Sequence, residues 1–146
     1  MNGIILKGGQ SPITIQSMTN TDTRDRDATL NQILKLSESG CEIVRLAVPD
    51  AAAAANLAYF TQHAPVPLVA DIHFDYRLAL TAIEAGIAKL RINPGNIGES
   101  ARVKLLASKA KERGIPIRIG VNAGSLEKDL LAKFSGPTPE GMVESA

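Results

Sequence analysis

Ala85–Gly86–Ile87–Ala88–Lys89–Leu90–Arg91–Ile92–Asn93 decides the fold: a helix stops on glycine and an apolar strand with an arginine in it begins. The same pattern occurs twice more. Ser39–Gly40 leads into Ile43–Val44–Arg45–Leu46, and Arg113–Gly114 leads into Ile117–Arg118–Ile119. Outward from these echoes, strands are predicted over Ile13–Met18, Glu42–Val48, Pro67–Ile72, Lys89–Asn93 and Ile115–Val121. Between them, Leu30, Ile33, Leu34 and Leu36 give a first helix its apolar face, which Gly40 is placed to end. Asp50 can cap an alanine-rich helix from Ala51 to about Thr61. Further helices are expected from Tyr76 to Ala85 and from Glu99 to Arg113, the latter stopping at Gly114. Beyond Ser125 come a short helix, a Gly136–Pro137 break and another helix starting at Pro139. Strands alternating with helices of this length imply a parallel sheet with right-handed crossovers, an α/β fold.

Side chains alternate across a strand, so each strand sorts into two faces. One face collects Val44, Leu46, Val48, Leu68, Ala70, Ile72, Leu90, Ile92, Ile117, Ile119 and Val121, which suits packing under helices. The other carries Arg45, Asp71, His73, Lys89, Arg91, Asn93, Arg118 and Asn122; Thr14 and Gln16 of the first strand, opposed to Ile13 and Ile15, follow the same scheme. Parallel strands covered by helices on both sides are apolar on both faces. A polar second face therefore points to the lumen of a (β/α)8 barrel of the TIM type, whose active sites lie at the strand C-termini.

Several cations converge on that face, with Asp71 the one evident anion among them. Burying unpaired charge costs several kcal/mol in order of magnitude, so the cluster needs an anion or water. A single arginine here would read as a salt bridge. Three in successive units on one face favour a planar, multi-oxygen anion held bidentately, phosphate or diphosphate rather than a lone carboxylate. Asp71-x-His73 reads either as two ligands of a metal site, for which no other ligands are evident, or as a hydrogen-bonded acid–base pair. Asn93–Pro94–Gly95–Asn96–Ile97–Gly98 reads as a turn, although its glycines would also let backbone N–H groups approach an anion.

A formal net charge of +1 and an aromatic content of 3% argue against a nucleic-acid binder. No apolar run reaches the roughly 18 residues that a membrane span needs, and residues 1–10 carry no apolar leader segment. The single cysteine, Cys41, precludes an internal disulfide, fits a reducing cytoplasm and reads as a core residue. No metal site is expected within the chain.

Four stretches carry a family resemblance: Gln16–Ser17–Met18–Thr19–Asn20–Thr21; Val69–Ala70–Asp71–Ile72–His73–Phe74–Asp75; Leu90 to Gly98; and Ile117 to Leu126. They resemble the hydroxymethylbutenyl diphosphate synthases, iron–sulfur reductases of the non-mevalonate isoprenoid pathway. The resemblance implies reductive ring opening of 2-C-methyl-D-erythritol 2,4-cyclodiphosphate with electrons from ferredoxin or flavodoxin, in a homodimer. It also implies a [4Fe–4S] cluster, held by three cysteines and a glutamate in a separate C-terminal domain. Carried over by motif, Arg45, Arg91, Arg118 and Asn122 become diphosphate or substrate contacts, with Asn93 beside them in the substrate pocket. Asp71 and His73 become pocket residues, and no catalytic role is assigned beyond these two.

A full barrel typically needs about 250 residues, so residues 1–146 are expected to be its N-terminal part, about five βα units, inactive without the cluster-bearing domain. Two rival readings share the element order. One is a non-catalytic, flavodoxin-like anion- or nucleotide-binding sheet of order 2-1-3-4-5; the other is a different phosphate-binding barrel enzyme, such as a pterin synthase.

Overall fold

Five short strands, β1 (Gln16–Met18), β2 (Ile43–Ala47), β3 (Leu68–Ile72), β4 (Lys89–Ile92) and β5 (Ile117–Ile119), pair in parallel in the order β1-β2-β3-β4-β5. The structure, a computed structural model, describes residues 13–97 and 100–146. Sequential order is what a barrel wall requires, each strand lying beside the one before it. It excludes the flavodoxin-like order, in which the second strand lies outside the first. The crossovers are α1 (Arg26–Glu38), α2 (Ala51–Ala55) with α3 (Leu57–His63), α4 (Tyr76–Glu84), and α5 (Pro94–Ile97) with α6 (Ser100–Glu112). After β5 come a 3₁₀ turn at Ala123–Ser125, then α7 (Lys128–Lys133) and α8 (Pro139–Ser145).

Local chemistry explains where the helices begin and end. Asp25, Asp50 and Asp75 cap α1, α2 and α4 by accepting from the N–H groups of Ala28, Ala53 and Arg77. Gly40, Gly86 and Gly114 have φ of +91°, +79° and +65°, the left-handed conformation that closes a helix. Each is followed by a residue whose N–H reaches back over the last turn: Cys41 to the Leu36 carbonyl, Ile87 to Ala82 and Ile115 to Ala110. The repeated glycine–strand motif is thus one structural device used three times.

The core lies between the sheet and its helices. Val44, Leu46, Leu68, Ala70, Ile72, Leu90 and Ile92 pack against Ile33, Leu57, Phe60, Ala79, Ile83 and Leu106, all buried. Full burial of such a Leu, Ile or Phe side chain contributes roughly 1.5–3 kcal/mol. No helix among the described residues is long and apolar enough to cross a membrane.

Several expectations change in detail. Each strand is shorter than the run predicted for it. The alanine-rich helix is two helices, broken at Asn56, whose side chain donates to the Thr23 and Arg24 carbonyls instead of facing solvent. Leu34 is exposed, and α1 buries Thr29 with Ile33 instead. Ile13 and Ile15, which lead into the outer strand β1, are also exposed. The Asn93–Gly98 turn contains the single-turn helix α5, and Gly98 lies outside the described residues.

Candidate functional site

The strand register sorts the inner face into layers. One row runs Met18–Arg45–Val69–Lys89, and the next, nearer the strand C-termini, runs Ala47–Asp71–Arg91–Arg118. The intervening rows, Leu46–Ala70–Leu90–Ile117 and Ile72–Ile92, face the helices, while Ile119, at the end of the second row, is exposed. The face assignment read from alternation therefore holds for β2, β3 and β4; on β5 Ile117 packs against the core but Ile119 does not.

Asp71 is the centre of the inner face. Its side chain is 4% exposed, and Arg91 Nη1 donates to its Oδ1 at 3.0 Å. Arg45 Nε lies 3.6 Å from Oδ2, also touching Met18 Sδ, and His73 Nε2 lies 3.4 Å from Oδ1. Arg91 Nη1 is also 3.3 Å from His73 Nε2, so one guanidinium nitrogen bridges the carboxylate and the imidazole. A carboxylate this buried is tenable because two guanidinium groups replace the water it has lost.

The strands bring four cations to this face, Arg45, Lys89, Arg91 and Arg118, against one carboxylate. Arg118 is exposed and has no ion-pair partner among the described residues, although it pairs in register with Arg91. Asn93 is buried and donates from Nδ2 to Ser125 Oγ at 2.6 Å. Ser125 in turn donates from its N and Oγ to the Asn122 carbonyl. Asn93 thus ties down the turn that carries Asn122, whose residue is exposed at the rim. Arg45, Asp71, His73 and Arg91 form one bonded group; Asn93 and Asn122 are joined through Ser125, and Arg118 stands beside both.

One arrangement at this end of the sheet was not legible in the sequence. Arg24, in the loop after β1, donates from Nε and Nη2 to Asp50 Oδ2 at 2.9 and 2.7 Å, and from Nη1 to Asp22 Oδ2 at 3.0 Å. It clasps the β1–α1 loop to the cap of α2. Asp22 is held below the usual carboxylate range chiefly by the Arg24 backbone N–H, and Asp50 chiefly by the Arg24 guanidinium. Only the surplus oxygen of a capping aspartate hints at such a clasp. Two shallow depressions lie beside the cluster rather than in it: one of about 430 Å³ lined by Phe74, Asp75, Tyr76, Arg77 and Arg102, the other between the starts of α2 and α4.

Among the described residues, no group of three or more His, Cys, Asp or Glu side chains is placed to hold a metal ion. Cys41 is buried at the other end of β2, its Sγ donating to the Ile43 carbonyl at 3.0 Å. Asp71 and His73 therefore sit together without a third ligand, surrounded by cations that would repel a metal.

Comparison with known proteins agrees with this geometry. Residues 2–146 match the family described as the GcpE TIM-barrel domain. A 4-hydroxy-3-methylbut-2-en-1-yl diphosphate synthase (flavodoxin) from Maridesulfovibrio salexigens is 66% identical over 139 residues, covering 95% of this chain and 39% of the relative. The protein of the same name from Ruminiclostridium cellulolyticum is 60% identical over 144 residues, covering 99% and 41%. The chain thus spans about two fifths of the length of these relatives. An L-talarate/galactarate dehydratase from Salmonella typhimurium superposes with a TM-score of 0.57 over 77% of this chain and 28% of its own, at 13% identity, a likeness of fold alone. The sequential five-stranded wall, its cationic inner face and these matches lead to one conclusion: the chain belongs to the GcpE TIM-barrel domain family.

Proposed function

We propose that this chain supplies the first five βα units of a barrel that holds 2-C-methyl-D-erythritol 2,4-cyclodiphosphate for reductive opening to 4-hydroxy-3-methylbut-2-enyl diphosphate. The observation that carries the proposal is the charge imbalance of the inner face: four strand-borne cations against Asp71 alone. A diphosphate is the kind of ligand that offsets it, having several oxygens for planar guanidinium forks. Arg118, which has no ion-pair partner among the described residues, is the readiest contact. Arg91 and Arg45 are pre-oriented by Asp71, which reduces the ordering cost of binding. Asn122 contributes a neutral donor from the rim, held by Asn93 through Ser125. His73 sits at the mouth of the cluster, where it can hold a proton near a ligand oxygen.

The residues of this chain do not fit a [4Fe–4S] cluster. Cys41 is buried away from the cationic face, and no multi-residue metal-binding group exists among the described residues. Electron transfer is therefore assigned to other parts of the protein, with flavodoxin, which appears in the relatives' names, as the donor. A cytoplasmic homodimer is the setting that fits this reading.

The test is calorimetric titration of the cyclodiphosphate into the protein and its Arg118→Ala variant. Loss of one charge-assisted contact is expected to raise Kd about tenfold or more. Because Arg118 has no ion pair to break among the described residues, thermal unfolding of the variant should match that of the parent. Equal affinity of parent and variant would remove Arg118 from the site.

A further inference from the structure

Gly120 follows β5, and its N–H donates to the Ile92 carbonyl at 2.8 Å, so it extends the β4–β5 ladder by one step. Alternation from Arg118 places it on the inner face. Its backbone does not require glycine, since its φ lies outside the left-handed region. What requires glycine is Arg91. A Cβ built on Gly120 would lie 2.6 Å from Arg91 Nη2, 2.8 Å from Cζ and closer still to Nε. The guanidinium therefore lies across bare backbone just beyond β5, while its Nη1 reaches the other way to Asp71 on β3 and to His73 just after it. Arg91 thus links three neighbouring strands.

We propose that Gly120 is a positioning residue: the missing side chain at 120 fixes the plane of the Arg91 guanidinium, and through it the anion site. The proposal rests on the reading of that site given above. The neighbour that a methyl group at 120 would displace is the far end of a flexible side chain, not backbone. Gly120→Ala therefore leaves the sheet intact and swings Arg91 away, breaking its bridge between Asp71 and His73. Elsewhere on the inner face space is taken by side chains; at Gly120 the space is taken by a side chain from the next strand.

The experiment is a double-mutant cycle in the protein, with Gly120→Ala, Arg91→Ala and the pair, read by thermal unfolding and by titration with inorganic pyrophosphate. Gly120→Ala is expected to raise the pyrophosphate Kd about tenfold or more, the loss of one charge-assisted contact. In the Arg91→Ala background the same substitution should change neither Kd nor Tm, since the three atoms nearest to the methyl group are then gone. Three results would overturn the proposal. A Tm loss from Gly120→Ala that persists in the Arg91→Ala background would mean that the glycine serves the backbone. Parent-like affinity in Gly120→Ala, with affinity lost in Arg91→Ala, would leave the anion site standing and remove Gly120 from it. Parent-like affinity in Arg91→Ala itself would remove the anion site, and the role of Gly120 with it.

Discussion

Asp22 and Asp50 lie on different loops, 28 positions apart, and one guanidinium serves both. Their carboxyls are held low for different leading reasons, which makes the clasp testable residue by residue. For Asp50 the largest cause is the Arg24 side chain; for Asp22 it is the Arg24 backbone N–H, which any substitution at 24 except proline retains. Arg24→Ala should therefore let Asp50 titrate closer to an ordinary aspartate, while Asp22 recovers less. Carboxyl NMR titration reads both, and an Asp50 that titrates at the same pH in parent and variant would dissolve the clasp. The sign for stability follows from the same shifts. A carboxyl whose pKa is lower folded than unfolded stabilises the protein above its unfolded value, and that contribution disappears as pH falls through the folded value. The stability gap between parent and Arg24→Ala should accordingly be present at neutral pH and close only in acid below the ordinary aspartate range, as pH falls through the lowered values.

At the level of elements, α1 controls the loop that precedes it. Gln32, two turns into the helix, accepts from the Asn20 and Thr21 N–H groups at 3.0 and 3.2 Å and donates back to Asn20 Oδ1. Thr29, fully buried on the same helix, donates to the Asp22 carbonyl and contacts the Thr21 hydroxyl. Replacing Gln32 with Leu should speed amide exchange at Asn20 and Thr21 by tenfold or so, and cost about 1 kcal/mol. Unchanged exchange at these two amides would mean that the loop is held without Gln32. This network also marks the limit of what the sequence discloses. Features carried by short-range chemistry were legible: glycine-capped helices, the Asp50 N-cap, and the two faces of β2, β3 and β4. Features set by contacts far along the chain were not. Asn56 breaks a helix for the sake of carbonyls 32 and 33 residues earlier. Thr29 replaces Leu34 on the buried face because a loop needs its hydroxyl. Among the site residues, Arg45, Asp71, His73 and Arg91 were placed together by alternation alone, whereas the tie between Asn93 and Ser125 depends on how a distant turn folds back.

For the molecule as a whole, sequential strand order in an open sheet leaves β1 and β5 each hydrogen-bonded on one side only among the described residues. Both edge strands carry exposed apolar side chains: Ile13 and Ile15 lead into β1, and Ile119 ends β5, with 46% of its surface open. An unpaired parallel edge beside exposed isoleucine is a template for another strand. The β5 edge of one copy can meet the β1 edge of the next, and such a head-to-tail contact has no built-in closure. This chain alone should therefore associate as its concentration rises, with a weight-average mass in sedimentation equilibrium that climbs instead of levelling at one copy. Lysine at the edges should reverse this, since charge on an edge strand is a usual means of blocking pairing. Ile15→Lys and Ile119→Lys act at opposite ends of the same contact, so either alone should lower the mass and the pair should add little further. Additive effects would mean two independent contacts rather than one repeated joint. A monomer at every concentration would mean that the edges are already covered, and the open-wall account of this sheet would fail.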